Sequence, residues 1–79
     1  MAKHTSLPKA IRRLRDEMVL TQEVFSELVG VNRLAVIKWE GGKESPSLKT
    51  LQRLVHLGLD ERYLTGRWGA ALPPREDVA

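Results

Sequence analysis

The sequence has no cysteine and only two histidines, His4 and His56, in 79 residues. A disulfide scaffold, a thiol nucleophile and a Cys/His zinc ribbon are therefore excluded, and two distant imidazoles make no metal site. No apolar run approaches the ~18 residues of a membrane span, and the N-terminus lacks the apolar core of a signal peptide. The expectation is a soluble protein inside the cell, with no membrane partner. Catalytic constellations are missing too. No paired carboxylates, Ser/His arrangement or phosphate-binding loop can be found, and Glu23 and Glu27, four apart, read as a solvated helix edge. A chain this short has little room for a deep cleft. An enzyme, a cofactor and a metal are all unexpected.

What the sequence does have is an uneven distribution of charge. Lys and Arg total 13 against 10 Asp and Glu, a formal charge of +3. Residues 1–53 hold ten basic and six acidic groups, whereas residues 54–79 hold three and four. A basic front two-thirds points to a polyanionic partner, although +3 by itself is a weak signal.

Apolar spacing and punctuation divide the chain into five short helices. Pro8 suits a first helical turn, and Ile11, Leu14 and Met18 then share one face. Thr21 is a hydroxyl N-cap before a helix carrying Phe25 and Val29, which Gly30 closes. Asn32 caps a third helix, Arg33 to Glu40, with Ala35, Val36 and Trp39 inward, and Gly41-Gly42 ends it. Pro46-Ser47 opens a fourth helix with Leu48, Leu51, Leu54 and Val55 expected inward, stopped by Gly58. Asp60 caps a short fifth through Tyr63 and Leu64, ended by Gly66. Pro73-Pro74 marks the following stretch as loop. No segment alternates with period two. The fold class is all-α: a compact five-helix domain over 8–66, with an N-terminal arm over 1–7 and a tail over 67–79.

Two short helices joined at Gly30-Val31-Asn32 have the form of a DNA-binding helix-turn-helix. Their close crossing requires a small residue at the fifth position of 22–41, which is Ser26. The ninth must tolerate positive φ and is Gly30. The interior positions are Phe25, Val29, Val31, Val36 and Trp39, all apolar. The run from Thr21 to Lys43, TQEVFSELVGVNRLAVIKWEGGK, followed by Pro46-Ser47-Leu48, resembles the Cro/repressor-type (XRE) helix-turn-helix family over roughly 9–66. The resemblance implies a five-helix repressor-like fold and a regulator that binds double-stranded DNA as a homodimer. It also implies a cytoplasmic, nucleoid-associated place in a bacterial or phage setting.

The resemblance also implies roles for individual residues. Gln22 would bind a backbone phosphate, with Lys43, Ser47 and Lys49 as further phosphate contacts. Arg15 and Glu40 would form a structural ion pair that fixes the third helix against the first. On that third helix Asn32, Arg33, Leu34, Ile37 and Lys38 would reach base edges. Steps of 100° put Leu34 and Ile37 near the centre of its outer face, flanked by Arg33 and Lys38. Family members carry polar groups there. An apolar pair fits either thymine methyl groups or a protein interface. Val24 and Leu28 are also apolar where the family is polar, and either widen the buried face of the second helix or lie exposed. Lys3, Lys9, Arg12 and Arg13 add basic charge but no information about bases.

Two departures from the family stand out. Val19 replaces the usual glycine after the first helix, so that turn is expected to be shaped differently. The stretch LVHLGLD is about one residue shorter than the common pattern, which bears on the fifth helix and a dimer interface. Tyr63, Leu64 and Trp68 are the apolar groups available for that interface, and His56 reads as an exposed helical residue. The leading expectation is a sequence-specific repressor acting on an inverted repeat, with no separate effector domain. The alternative is a protein-binding antitoxin or adaptor whose partner, such as a toxin, sits on the exposed apolar residues of the second and third helices.

Overall fold

In the computed structural model, residues 6–65 are described and form five helices. These are α1 (Leu7–Glu17), α2 (Gln22–Val29), α3 (Arg33–Glu40), α4 (Leu48–Leu57) and α5 (Arg62–Thr65). No helix among the described residues is long and apolar enough to cross a membrane. Lys3, His4, the expected helix stop Gly66, Trp68 and the tail lie outside the described residues.

Pro8 stands in the first turn of α1, and each of the other four starts is set by a short polar side chain. Thr21 accepts from the Val24 N–H at 3.1 Å, Asn32 from the Ala35 N–H at 2.9 Å, and Ser47 from the Thr50 N–H at 3.2 Å. Asp60 takes the Arg62 N–H at 2.9 Å and also pairs with that guanidinium. The side-chain bond to Arg62, and then the backbone bond, hold the Asp60 carboxyl below its usual range. Each cap satisfies one of the donors that a helix N-terminus leaves without an intrahelical acceptor.

The stops share a second device. A six-residue backbone bond closes four of the helices: Leu20 to Arg15, Val31 to Ser26, Lys43 to Lys38 and Leu59 to Leu54, at 3.2, 2.9, 2.9 and 2.9 Å. Such a closure needs a residue at positive φ inside it. Three of the four are Gly30, Gly42 and Gly58, and the fourth is Val19 at φ 59°. The sequence-based expectation of a differently shaped turn is therefore corrected. Val19 adopts the positive φ that Gly30, Gly42 and Gly58 adopt, and its turn closes in the same way as theirs. A β-branched residue there crowds its own backbone, at a cost of about 1–2 kcal/mol. The surroundings hold it in place. The Val19 N–H bonds the Asp16 carbonyl at 3.0 Å, and the Arg15 guanidinium bonds the Leu20 carbonyl at 2.9 Å. With 87% of its surface exposed, the Val19 side chain gains nothing from packing.

The core is one cluster drawn from every helix. Ile11, Phe25, Val36, Leu51 and Leu54 are fully enclosed, with Leu7, Leu14, Val29, Trp39, Leu59 and Tyr63 around them. Ser26 is the buried polar residue among them, and its hydroxyl donates to the Glu23 carbonyl at 2.6 Å. α3 packs on both α1 and α2, while α4 packs on α2 and α5. Burial pushes the Tyr63 phenol above its usual range, with the Asp60 charge adding to the effect.

Three packing expectations need correction. Leu7 starts α1 and is buried at 5%, so it belongs to the domain and not to a preceding arm. Leu48 is 52% exposed, because it sits about 90° round α4 from the line of Leu51 and Leu54. Val24 and Leu28 are also exposed and do not widen the buried face of α2.

Replacing Val19 with glycine removes the crowding but adds freedom to the unfolded chain, so the expected net gain is about 0.5–1 kcal/mol. Thermal unfolding followed by circular dichroism should show Tm rising by a few degrees. An unchanged or lowered Tm would mean that Val19 is not strained.

Candidate nucleic-acid interface

α2 and α3 meet through a turn of three residues, with Gly30 at φ 89°. A side chain at position 30 would meet more than an unfavourable φ. A Cβ built there falls 2.7 Å from the Arg53 Nη1, which itself donates to the Val29 carbonyl at 3.0 Å. The guanidinium from α4 thus covers the C-terminal end of α2. Nothing in the local sequence marks Arg53 for this part, because its partner lies 24 residues away.

Behind α3 lies a polar joint. Arg15 donates from Nε to Glu40 Oε2 at 2.7 Å and from Nη2 to Glu40 Oε1 at 3.0 Å. Its third nitrogen holds the Leu20 carbonyl. The side chains of Arg15 and Glu40 are only 14% and 7% exposed. Two parallel bonds to one carboxylate fix the angle between the helices as well as their distance. The hydrogen bond to Glu40 outweighs the cost of burial and holds the Arg15 pKa above its ordinary value.

Gln22 completes the joint by donating from Nε2 to Glu40 Oε1 at 3.1 Å. Only an N–H can face a carboxylate, so the orientation of the amide is determined. One amide N–H is thereby committed, while the second N–H and the carbonyl oxygen are the groups Gln22 has for a phosphate. Residue spacing marks Arg15 and Glu40 as partners by resemblance, but nothing in it announces Gln22 as the third member.

The outer face of α3 carries the expected reading residues. Asn32, Arg33, Leu34 and Ile37 are exposed, Leu34 by 55% and Ile37 by 37%. The Asn32 oxygen is occupied by the cap, leaving its amide N–H groups outward. Lys38 is half-buried and its ammonium lies 3.6 Å from Glu44, an acid in the turn after α3. Lys43 and Lys49 are exposed on that turn and on the first turn of α4. Ser47 differs from them. Its hydroxyl accepts from the Thr50 N–H and donates to Thr50 Oγ1 at 3.0 Å, so its single proton is already engaged. A phosphate there would meet backbone N–H groups of α4 before the hydroxyl.

Three residues were expected at a dimer interface. Tyr63 is part of the monomer's core, Leu64 is half-buried against it, and Trp68 lies outside the described residues. His56 is exposed, its ring beside the Gln52 carbonyl one turn earlier. No group of three or more acidic or histidine side chains among the described residues is placed to hold a metal.

Comparison with known proteins agrees with this arrangement. A helix-turn-helix family model matches residues 11–58, which contain α2, α3 and the ion pair behind them. A protein of Methanothermobacter thermautotrophicus described as an uncharacterized HTH-type transcriptional regulator is 48% identical over 44 residues. The match covers 56% of this chain and 64% of that protein, so the chain spans less than two thirds of its relative's length. No solved structure matches.

The joint makes a thermodynamic prediction. Arg15→Leu or Glu40→Leu strands a mostly buried opposite charge and should each cost about 3 kcal/mol. The double variant should be less destabilised than the sum of the two. Urea unfolding of the four proteins in a double-mutant cycle reads this coupling directly. Strict additivity would show that the two groups are solvated independently.

Proposed function

The chain belongs to the XRE-type helix-turn-helix family, and from that premise we propose that it is a sequence-specific DNA-binding transcriptional regulator. In this reading α3 enters the major groove of double-stranded DNA. The protein acts as a homodimeric repressor on an inverted repeat, with half-sites about one helical turn, ~34 Å, apart. The observation that carries the reading is the arrangement of α3: held from behind by Arg15, Glu40 and Gln22, it leaves Arg33, Leu34 and Ile37 outward.

Roles follow from reach and chemistry. Arg33, in the first turn of α3, suits a bidentate contact with guanine O6 and N7, and Asn32 offers its amide beside it. Lys38 lies at the flank beside Glu44 and would serve a phosphate or base at the groove's edge. Gln22, Lys43, Lys49 and the start of α4 at Ser47 would follow the sugar–phosphate backbone, where contacts position the protein without reading sequence.

One observation favours a second reading. Val24 and Leu28 are 46% and 51% exposed on α2, beside Glu23 and Glu27. A protein partner such as a toxin could cover that mixed apolar and acidic strip. The strip carries charge of the opposite sign to α3's surroundings, so a protein partner on α2 is compatible with DNA on α3.

Selection of bound sequences from random duplexes, followed by footprinting of the winner, tests the central claim. A two-fold symmetric site is expected. Failure to enrich any sequence would leave the protein-binding reading in its place. Arg33→Ala should then weaken binding by about 1–3 kcal/mol and relax the preference at a single base position. Lys43→Ala and Lys49→Ala should weaken all sequences alike, each lowering the slope of log affinity against log salt by about 1. A uniform loss from Arg33→Ala would instead place that side chain on a phosphate.

A further inference from the structure

The centre of α3's outer face has no hydrogen-bonding side chain. Leu34 stands at the middle of that face and Ile37 three residues on, so the two are neighbours on one ridge. Leu34 is 55% exposed and Ile37 37%. Two polar groups close to them are already engaged. The Asn32 oxygen is bonded to the Ala35 N–H at 2.9 Å, and the Lys38 ammonium is drawn to Glu44 at 3.6 Å. Arg33, next to Leu34 in the first turn of α3, is an exposed cation, as are Lys43 in the turn after α3 and Lys49 in the first turn of α4.

We infer that Leu34 and Ile37 form a reader of the pyrimidine C5-methyl group in the major groove. The ridge would accept thymine and 5-methylcytosine and discriminate against uracil and unmodified cytosine. This rests on the reading of α3 as the groove helix and adds the chemistry of its central contact. The C5-methyl is the apolar feature of the major groove, where the other base-edge groups are donors or acceptors. Two adjacent aliphatic side chains with no polar atom leave a donor or acceptor unpaired but bury a methyl well.

Size and charge separate this ligand from a protein surface. A stable protein interface buries about 800 Å² on each partner, and two side chains on an eight-residue helix are far short of that. The exposed cations favour a polyanion, whereas the acids Glu23 and Glu27 lie with Val24 and Leu28 on α2. A methyl held by carbon alone is recognised whichever pyrimidine carries it, because thymine and 5-methylcytosine present it at the same ring position.

The test uses the unaltered full chain and the duplex enriched from random sequences. Dissociation constants are compared for thymine against uracil at each thymine of a half-site, and for 5-methylcytosine against cytosine at the same positions. Each pair differs by one methyl. Removal of the contacted methyl should weaken binding about fourfold, with the 5-methylcytosine pair showing the same ratio. The Leu34→Asn, Ile37→Asn double variant, whose folding circular dichroism checks, should bind both members of each pair equally, since its side chains offer no aliphatic cover for a methyl. Equal affinity of the unaltered protein for both members at every position overturns the inference while the DNA-binding reading stands. Methyl discrimination that persists in the double variant also overturns it, because another group is then the reader. Absence of binding to any duplex removes the DNA-binding reading and the inference with it.

Discussion

One guanidinium holds together the parts that make α3 usable. Arg15 reaches from α1 to both oxygens of Glu40 on α3 and, with its remaining nitrogen, to the Leu20 carbonyl. Gln22 at the start of α2 closes on the same carboxylate. Three helices and the turn between two of them therefore share one joint. Taking two charges out of water is costly, and such a pair persists only where geometry and extra hydrogen bonds offset the loss. Here the carboxylate receives three N–H bonds and the guanidinium has a carbonyl as well as a carboxylate. The joint contributes orientation at least as much as stability. It determines which side of α3 faces the solvent, and so which residues can meet a partner.

The joint also explains how an unfavourable turn survives. Val19 lies at positive φ because the Leu20 carbonyl, one residue on, is held by Arg15 and the backbone bonds of the helix end are complete. Where glycine holds the equivalent place, at Gly30, Gly42 and Gly58, no such support is needed for the backbone itself. Gly30 answers to a further constraint, since the Arg53 guanidinium occupies the space a side chain would fill. Helices of eight residues are too short to persist alone in water. α2 and α3 exist because caps define their ends and the common core covers their inner faces.

The outward chemistry divides between the two helices of the motif. α2 shows acids and branched aliphatics, whereas α3 shows an aliphatic pair, Leu34 and Ile37, with Arg33 exposed beside it. The Lys38 ammonium lies 3.6 Å from Glu44 in the turn after α3. The two helices of one motif thus present different chemistry to the solvent. The difference between α2 and α3 is therefore as informative as either face alone.

The helix starts at Thr21, Asn32, Ser47 and Asp60 and the glycine stops were all legible in the residues, because a cap or a positive-φ stop is a contact between near neighbours. Periodicity likewise identified Phe25, Val36, Trp39 and Leu51 as core and put Leu34 and Ile37 outward. The family resemblance supplied Arg15 with Glu40, which periodicity alone would not have joined. Elsewhere the sequence was ambiguous or misleading. Val19 pointed to a distorted turn, Leu48 to a buried side chain and Leu7 to an arm. Those outcomes, together with the bonds from Gln22 to Glu40 and from Arg53 to the Val29 carbonyl, depend on groups distant in sequence or on where a helix axis finally lies. Local chemistry along the chain determined which segments become helices and which faces are apolar. Only the tertiary packing decided which polar groups are consumed inside and which are left for a partner, because a buried charge or an unfavourable φ is tolerable only once its distant partner is in place.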